Sequence, residues 1–211
     1  MTLPDRLLAG YASFRSGRYS EEHERYQRLA GDGQTPSIMV IGCSDSRAAP
    51  ETIFDAGPGE LFVVRNVANL VPPYKPDDEY HGTSAALEFA VQVLQVSDIV
   101  LLGHGRCGGI QAALSPEGAT GDFIGAWMQL IAPATETLAG ASLMTETERG
   151  TALERMSVRY SIANLRTFPF VAERERDGKL ALHGAWFDIS LGELWLMDPQ
   201  SGDFERAPDL R

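Results

Sequence analysis

The chain has 211 residues, of which 44% are hydrophobic and 22% are charged, and its formal net charge is −11. This is the composition of an ordinary globular protein with room for a substantial core. The acidic balance disfavours nucleic acid and anionic membrane surfaces as partners. The sequence has no secretory signal and no run of ~18 apolar residues, so we expect a cytoplasmic protein with reduced cysteines.

The first segment predicts a helical arm. Between positions 4 and 30, seven large apolar side chains are scattered among many charged residues, which indicates helices that lie on another surface. Gly31-Asp32-Gly33 separates the arm from the next element. We therefore expect an arm over 1–33 and one α/β catalytic domain over 34–211. The arm should pack on a second copy of the chain; the alternative is that it folds back on its own domain.

Helices alternating with short apolar strands predict an α/β fold, with a central, mostly parallel sheet of about five strands flanked by helices. The expected elements, in chain order, are a strand over Ser37–Gly42, a strand over Leu61–Val64, a helix over Thr83–Val96, a strand over Asp98–Gly103, helices over Gly108–Leu114, Phe123–Ile131 and Thr147–Leu165, and strands over Leu180–Ile189 and Leu194–Met197.

The first and the last of these predicted helices show helical periodicity. In the helix over Thr83–Val96, apolar residues recur at positions 87, 90, 91 and 94. In the helix over Thr147–Leu165, the expected apolar stripe consists of Leu153, Met156, Tyr160 and Ala163.

Two cysteines and one histidine follow predicted strands. Cys43 comes after the first strand, and His104 and Cys107 come after the third. In open α/β sheets, ligands bind beyond the carboxyl ends of the strands, so neighbouring strands would bring these side chains together. Three protein ligands with a fourth position left open are typical of catalytic zinc. Any one of them alone would be interpreted as a buried small residue or a helix cap, but together they predict one zinc ion per subunit.

Asp45 and Arg47 are two residues apart, so both side chains can point to the same side of an extended segment. A guanidinium keeps an adjacent carboxylate ionised and orients it through paired hydrogen bonds. Beside Cys43, such a carboxylate could accept a proton from zinc-bound water or orient the resulting hydroxide. We interpret the two residues as a catalytic pair; the alternative is an ion pair that only stabilises the loop.

Three motifs stand out: Cys43-Ser-Asp-Ser-Arg47, Pro58-Gly-Glu-Leu-Phe-Val-Val-Arg-Asn-Val-Ala-Asn69 and His104-Gly-Arg-Cys-Gly-Gly109. Together they resemble those of the β-class carbonic anhydrases, over roughly residues 34–198. The resemblance implies a zinc lyase, a carbonate dehydratase, that interconverts carbon dioxide and bicarbonate by attack of zinc-bound hydroxide oriented by an Asp–Arg dyad. It also implies a homodimer or a dimer of dimers.

Within that family the chain resembles the plant-like subgroup, because Gln34 stands nine residues before the first zinc cysteine. The resemblance implies that Gln34 orients a substrate oxygen and that Phe62, Val67 and Phe89 form the apolar wall of the carbon dioxide pocket. Phe89 occupies a place that is often Tyr, and the partner subunit is its expected source.

Two alternatives use the same residues. A zinc site of this kind could hydrolyse carbonyl sulfide or carbon disulfide, which are also linear and apolar, and pocket access would decide. A non-catalytic zinc module would hold Asp45 as a permanent fourth ligand, but it would need neither Arg47 nor Gln34. The sequence has no Cys-x-x-Cys, Walker or dinucleotide-binding pattern, so redox and nucleotide-binding functions are not indicated.

Overall fold

A computed structural model describes residues 3–77, 79–115, 117–139 and 143–208. Six strands form one sheet in the order β2–β1–β3–β4–β5–β6. The first four strands in this order are parallel, and the last two run antiparallel to their neighbours. The strands are β1 Ile38–Cys43, β2 Leu61–Asn66, β3 Asp98–His104, β4 Ala181–Asp188, β5 Glu193–Met197 and β6 Phe204–Arg206.

Among the described residues, helices lie around this sheet, and three of them precede its first strand along the chain. Two 3₁₀ turns cover Val67–Asn69 and Gln129–Ile131, and a π-helical turn covers Phe89–Val93. The α-helices are α1 Asp5–Ser16, α2 Arg18–Glu21, α3 His23–Asp32, α4 Pro50–Ile53, α5 Gly82–Glu88, α6 Gly108–Leu114, α7 Ile124–Met128, α8 Ala132–Ala139, α9 Glu146–Leu165 and α10 Pro169–Arg176.

The structure confirms the expected α/β fold with a mostly parallel sheet and an N-terminal helical segment. The sheet has six strands where about five were expected, because β6 has three residues and is too short to show a period of two. The first and third strands are neighbours and run slightly further than predicted, so that Cys43 and His104 are their last residues. Because these residues belong to the sheet itself, the strand ladders fix the positions of two candidate ligands.

The long helix α9 packs on strands β3 and β4. Two glycines permit this close approach: a Cβ on Gly103 would lie 2.8 Å from Val158 of α9, and a Cβ on Gly184 would lie 3.0 Å from the same side chain. The helix begins at a capping box, in which Thr145 and Glu148 exchange side-chain and backbone hydrogen bonds.

The predicted apolar stripe of α9 was wrong at Ala163, whereas Met156 and Tyr160 pack against the buried cluster that contains Leu153. Leu153 is buried, but Met156 and Tyr160 are only half-buried and Ala163 is exposed. The face that meets the core instead includes small and polar side chains, which hydropathy does not distinguish from a solvent face. Its buried members are Gly150, Leu153, Glu154, Ser157, Val158, Ser161, Ile162 and Leu165. The stripe predicted for the helix over Thr83–Val96 fits better, since Leu87, Ala90 and Val91 are buried.

The first three helices lie outside the sheet, and none of them buries a residue. Helix α3 contacts the turn before β2, where Arg25 Nη2 lies 2.8 Å from Glu60 Oε1. Helix α1 leaves Leu7, Leu8 and Tyr11 about half or more exposed. Among the described residues, no helix has the length and apolar character needed to cross a membrane.

Candidate metal centre

The three predicted ligands converge at one end of the sheet. Cys43 ends β1, His104 ends the adjacent β3, and Cys107 immediately precedes α6. Their ligand atoms all lie within 4.8 Å of one another, and the two sulfur atoms are 3.9 Å apart. All three side chains are buried. The structure therefore brings together two thiols and one imidazole that could hold a metal ion.

The imidazole of His104 is prepared for a ligand. Its Nδ1 lies 2.9 Å from the carbonyl oxygen of Gly105, which can only accept, so Nδ1 carries the hydrogen of the neutral ring. Nε2 then presents its lone pair towards the two sulfurs, and this buried atom has no hydrogen-bond partner. An orphaned buried nitrogen is costly unless something binds it. Two sulfurs and one imidazole nitrogen form a donor set that suits zinc, so the residues fit this metal.

The two sulfurs interact strongly with each other. Their hydrogen bond lowers the pKa of Cys43 to about 4 and raises the pKa of Cys107, because a thiolate at one position favours a thiol at the other. Backbone N–H groups of Asp45 and Ala68 also point at the Cys43 sulfur and lower its pKa. Metal ligation requires thiolates, so the site is organised to stabilise negative charge on sulfur.

Ala68 donates this hydrogen bond from a left-handed backbone. Its φ is 62°, and φ of the following Asn69 is 49°. Both residues are buried, and such angles are unfavourable for side chains other than glycine. The surrounding packing therefore holds the strained turn in place, with one amide aimed at a ligand sulfur.

Asp45 and Arg47 form a two-point ion pair beside the three ligands. Oδ1 accepts from Arg47 Nε at 2.9 Å, and Oδ2 accepts from Arg47 Nη2 at 2.7 Å. These hydrogen bonds hold the pKa of Asp45 well below its usual range, so the group stays a carboxylate. Oδ2 also lies 4.0 Å from His104 Nε2. One carboxylate oxygen thus lies close to the ligand nitrogen of His104.

The four predicted pocket residues divide into two groups. Val67 follows the end of β2 and lies at the ligand end of the sheet, where its Cγ1 is 2.9 Å from the Cβ position of Gly109. Phe62 pairs with Met39, four residues before Cys43, and therefore lies about 13 Å along the strand from the ligand end. Its ring stacks on Phe89, with centroids 5.8 Å apart.

Gln34 lies further away still. It is exposed and precedes β1, whereas Cys43 is the last residue of that strand. A six-residue strand spans about 17 Å, so Gln34 and Cys43 are at opposite ends of the sheet. Within one chain, Gln34, Phe62 and Phe89 are thus not brought to the ligand cluster.

Two residues that hold this site were missed by the sequence analysis. Arg65 donates from Nε to the carbonyl of Cys43 at 2.8 Å and from Nη2 to the carbonyl of Asp45 at 2.6 Å. Its signal in the sequence is a charge at the end of an otherwise apolar strand. Glu154 accepts a hydrogen bond from the backbone N–H of Cys107 at 3.1 Å. No signal marks it, because a charge on a helix is ordinarily exposed.

The comparisons of this chain with known proteins agree on one family. The family model described as carbonic anhydrase matches residues 38–194. β-carbonic anhydrase 5 of Arabidopsis thaliana, named as chloroplastic, is 38% identical over 92% of this chain, which spans 65% of that protein. β-carbonic anhydrase 3 of the same plant is 36% identical over 92% of this chain and 77% of its own length.

Solved structures agree with the sequence relatives. A tetrameric β-carbonic anhydrase from the filamentous ascomycete Sordaria macrospora has a TM-score of 0.83 and 32% sequence identity. The match covers 95% of this chain and 98% of that one. The similarity includes the sheet and the strand ends that carry the ligand cluster, since it extends over nearly the whole chain.

Proposed function

We propose that this chain, which belongs to the β-carbonic anhydrase family, is a zinc-dependent carbonate dehydratase that hydrates carbon dioxide reversibly to bicarbonate and a proton. The observation that carries the proposal is the meeting of Cys43, His104 and Cys107 within 4.8 Å, with the Asp45 carboxylate 4.0 Å from the imidazole. Three soft ligands and one restrained base are the parts that hydration chemistry needs.

The residues divide the work as follows. Cys43, His104 and Cys107 would hold zinc, which supplies the Lewis acidity that makes water nucleophilic near neutral pH. Asp45 remains ionised beside Arg47 and accepts a hydrogen bond from the attacking water. This hydrogen bond fixes the direction in which the lone pair of the water points. Arg47 would also keep Asp45 from turning towards the three ligands, because it holds both carboxylate oxygens. Val67 provides an apolar contact for carbon dioxide.

A second copy of the chain would complete the substrate pocket. Gln34, Phe62 and Phe89 lie too far from their own ligand cluster to contact a substrate there, and Phe89 is 44% exposed. We assign these three residues to the pocket of the neighbouring subunit, with the Gln34 amide on a substrate oxygen and the two rings on its apolar face. The assembly proposed is a homodimer, or a dimer of dimers like the tetrameric relative.

An apolar groove beside the candidate metal centre supports this assembly. It has a volume of 980 Å³ and begins at Val67. Phe123, which lines the groove, is 88% exposed, and such exposure is unusual for a large apolar side chain on a surface that no partner covers. We propose that the second copy covers the groove and that the arm over 1–33, with its exposed Leu7 and Leu8, contributes to the contact. The domain over 34–211 would then supply the catalytic residues.

The decisive experiment measures carbon dioxide hydration by the purified protein, before and after zinc is removed with a chelator and restored. We expect about one zinc per subunit, activity that disappears with the metal, and recovery on adding zinc back. The Asp45→Asn variant should bind zinc and lose activity. A zinc-loaded protein with no hydration activity at any pH would instead favour the non-catalytic zinc module.

The same preparation tests the other substrates. Hydrogen sulfide release from carbonyl sulfide or carbon disulfide, measured beside bicarbonate formation, separates a sulfide-releasing hydrolase from a carbonic anhydrase. We also propose a cytoplasmic location, with which the two free cysteines are compatible. Faster turnover of either sulfur compound than of carbon dioxide would overturn the proposed substrate.

A further inference from the structure

A buried carboxylate lies behind the candidate metal centre. Glu154 is 2% exposed and belongs to the face of α9 that meets the core. One of its oxygens accepts from the backbone N–H of Cys107 at 3.1 Å. The other accepts from the indole N–H of Trp186 at 3.2 Å. Glu154 therefore joins a strand residue of the sheet to the backbone of a candidate zinc ligand.

The surroundings of Glu154 act on its ionisation in opposite directions. Burial raises the pKa of Glu154, and the bonds from Cys107 and Trp186 oppose this shift. The adjacent Arg155 lies with its guanidinium 4.6 Å from the centroid of the Trp186 ring, which fixes the indole that donates to Glu154.

The loop that carries Cys107 is held from two sides. On one side, the carbonyl of Arg106 accepts from Arg47 Nη2 at 3.1 Å. On the other side, the N–H of Cys107 donates to Glu154. Arg106 itself has a φ of 55°, which is unfavourable for a residue with a side chain. These two contacts help to hold the turn in its strained form.

We propose that Glu154 is a positioning residue, which keeps the sulfur of Cys107 in ligand geometry by fixing that residue's backbone through a Trp186–Glu154–Cys107 chain of hydrogen bonds. Glu154 touches neither the metal position nor the substrate. The inference rests on the proposed zinc site, but it does not depend on which substrate is used. Its experimental test can therefore fail while carbon dioxide hydration is confirmed, or the reverse.

The test compares Glu154→Gln with Ser157→Ala. Gln has nearly the shape of Glu, but it can accept only one of the two N–H groups and directs an NH₂ group at the other. Ser157 is equally buried on the same helix, and its hydroxyl donates only to the carbonyl of Glu154 at 2.7 Å. The control thus removes a buried hydrogen bond one turn away without releasing the loop.

The readouts are zinc loss to a chelator and the absorption spectrum of the cobalt-substituted protein, in which thiolate–cobalt bands report both sulfurs. For Glu154→Gln, we expect zinc to be lost about 10–100-fold faster and the thiolate bands to shift or weaken. Ser157→Ala should match the wild type in both. Circular dichroism and thermal melting establish that each variant is folded before metal loss is measured.

A second variant keeps the test informative if Glu154→Gln does not fold. Trp186→Phe removes the indole donor and keeps an aromatic ring beneath Arg155. It should speed zinc loss by a smaller factor, and the double variant should be no worse than Glu154→Gln alone, because both changes break one chain of contacts. Zinc loss within twofold of the wild type in Glu154→Gln, or in Trp186→Phe where that variant alone folds, would overturn the inference.

Discussion

Arg47 grips both oxygens of Asp45, at 2.9 Å from Nε and 2.7 Å from Nη2, and the same Nη2 reaches the carbonyl of Arg106 at 3.1 Å. One guanidinium thus orients the proposed base and anchors the turn that carries the ligand Cys107. Because of this double attachment, we expect that a positive charge alone at position 47 is not sufficient for activity.

Replacing Arg47 with Lys should leave zinc bound and lower kcat/KM for carbon dioxide hydration by about 100-fold, since an ammonium cannot hold two oxygens in a plane. Hydration is measured by stopped flow, and zinc by elemental analysis. Arg25→Lys is the matched control, because Arg25 forms an ion pair with Glu60 far from the ligands. Activity of Arg47→Lys within threefold of the wild type would remove the two-point pair from the mechanism.

Two neighbouring glycines should respond differently to an added methyl group. A Cβ on Gly109 would lie 2.9 Å from Val67 and 3.2 Å from Ala68, whereas a Cβ on Gly108 would meet nothing within 4 Å. We expect Gly109→Ala to lower the free energy of unfolding by about 1–3 kcal/mol. Gly108→Ala should change it by no more than about 0.5 kcal/mol. Chemical denaturation measures both, and equal effects would contradict the packing described around Val67.

Acid stability should depend on Asp98, at the end of the sheet away from the ligands. A hydrogen bond from Ser97, followed by one from His183, lowers the pKa of Asp98 below its ordinary 3.8. A depressed pKa in the folded state stabilises the protein above 3.8, and this contribution is lost as the pH falls through the lower folded-state value. The Asp98→Asn variant should therefore lose less stability than the wild type between about pH 5 and about pH 3.

Thermal melting across that pH range checks the role of Asp98. Ser97→Ala should give an intermediate pH dependence, because it removes the donor at 2.6 Å and keeps His183 at 2.8 Å. Parallel curves for the wild type and Asp98→Asn would show that the carboxylate does not contribute.

The arm should determine how many subunits assemble in solution, and therefore the molecular mass of the assembly. Changing both Leu7 and Leu8 to Asp places charge on the exposed apolar side chains of α1, and we expect a smaller assembly by light scattering coupled to size exclusion. Changing Ala9 and Ala12 to Asp adds the same charge to the same exposed helix without removing large apolar groups. An unchanged mass for the Leu7 and Leu8 variant would indicate that the arm does not hold the subunits together.

The ligand cluster was predictable because its chemistry and its position in the fold coincide. Cys43 and His104 each end an apolar run, and the parallel order of such runs brings their ends to one side of the sheet. No tertiary information beyond this rule was needed. The same reasoning could not reveal Glu154, because its effect depends on α9 lying across β3 and β4 and on the indole of Trp186 being within reach.

The pocket residues illustrate a different limit. Gln34, Phe62 and Phe89 were assigned through resemblance, and the strand register separates them from their own ligand cluster. Under the proposed assembly they serve the neighbouring subunit, and no periodicity of a single chain encodes assembly. Strand β6 was missed for a local reason, because three residues around the buried Phe204 are stabilised by pairing with β5 rather than by a pattern of their own.

The placement of Gln34 and Cys43 at opposite ends of β1 has a genetic consequence. Under the proposed assembly, an inactive Asp45→Asn chain and a damaged Gln34→Ala chain carry lesions that fall in the same pocket of a mixed pair. One pocket of that pair would receive both lesions and the other neither. Co-expression of the two defective chains should therefore restore activity that neither homodimer has.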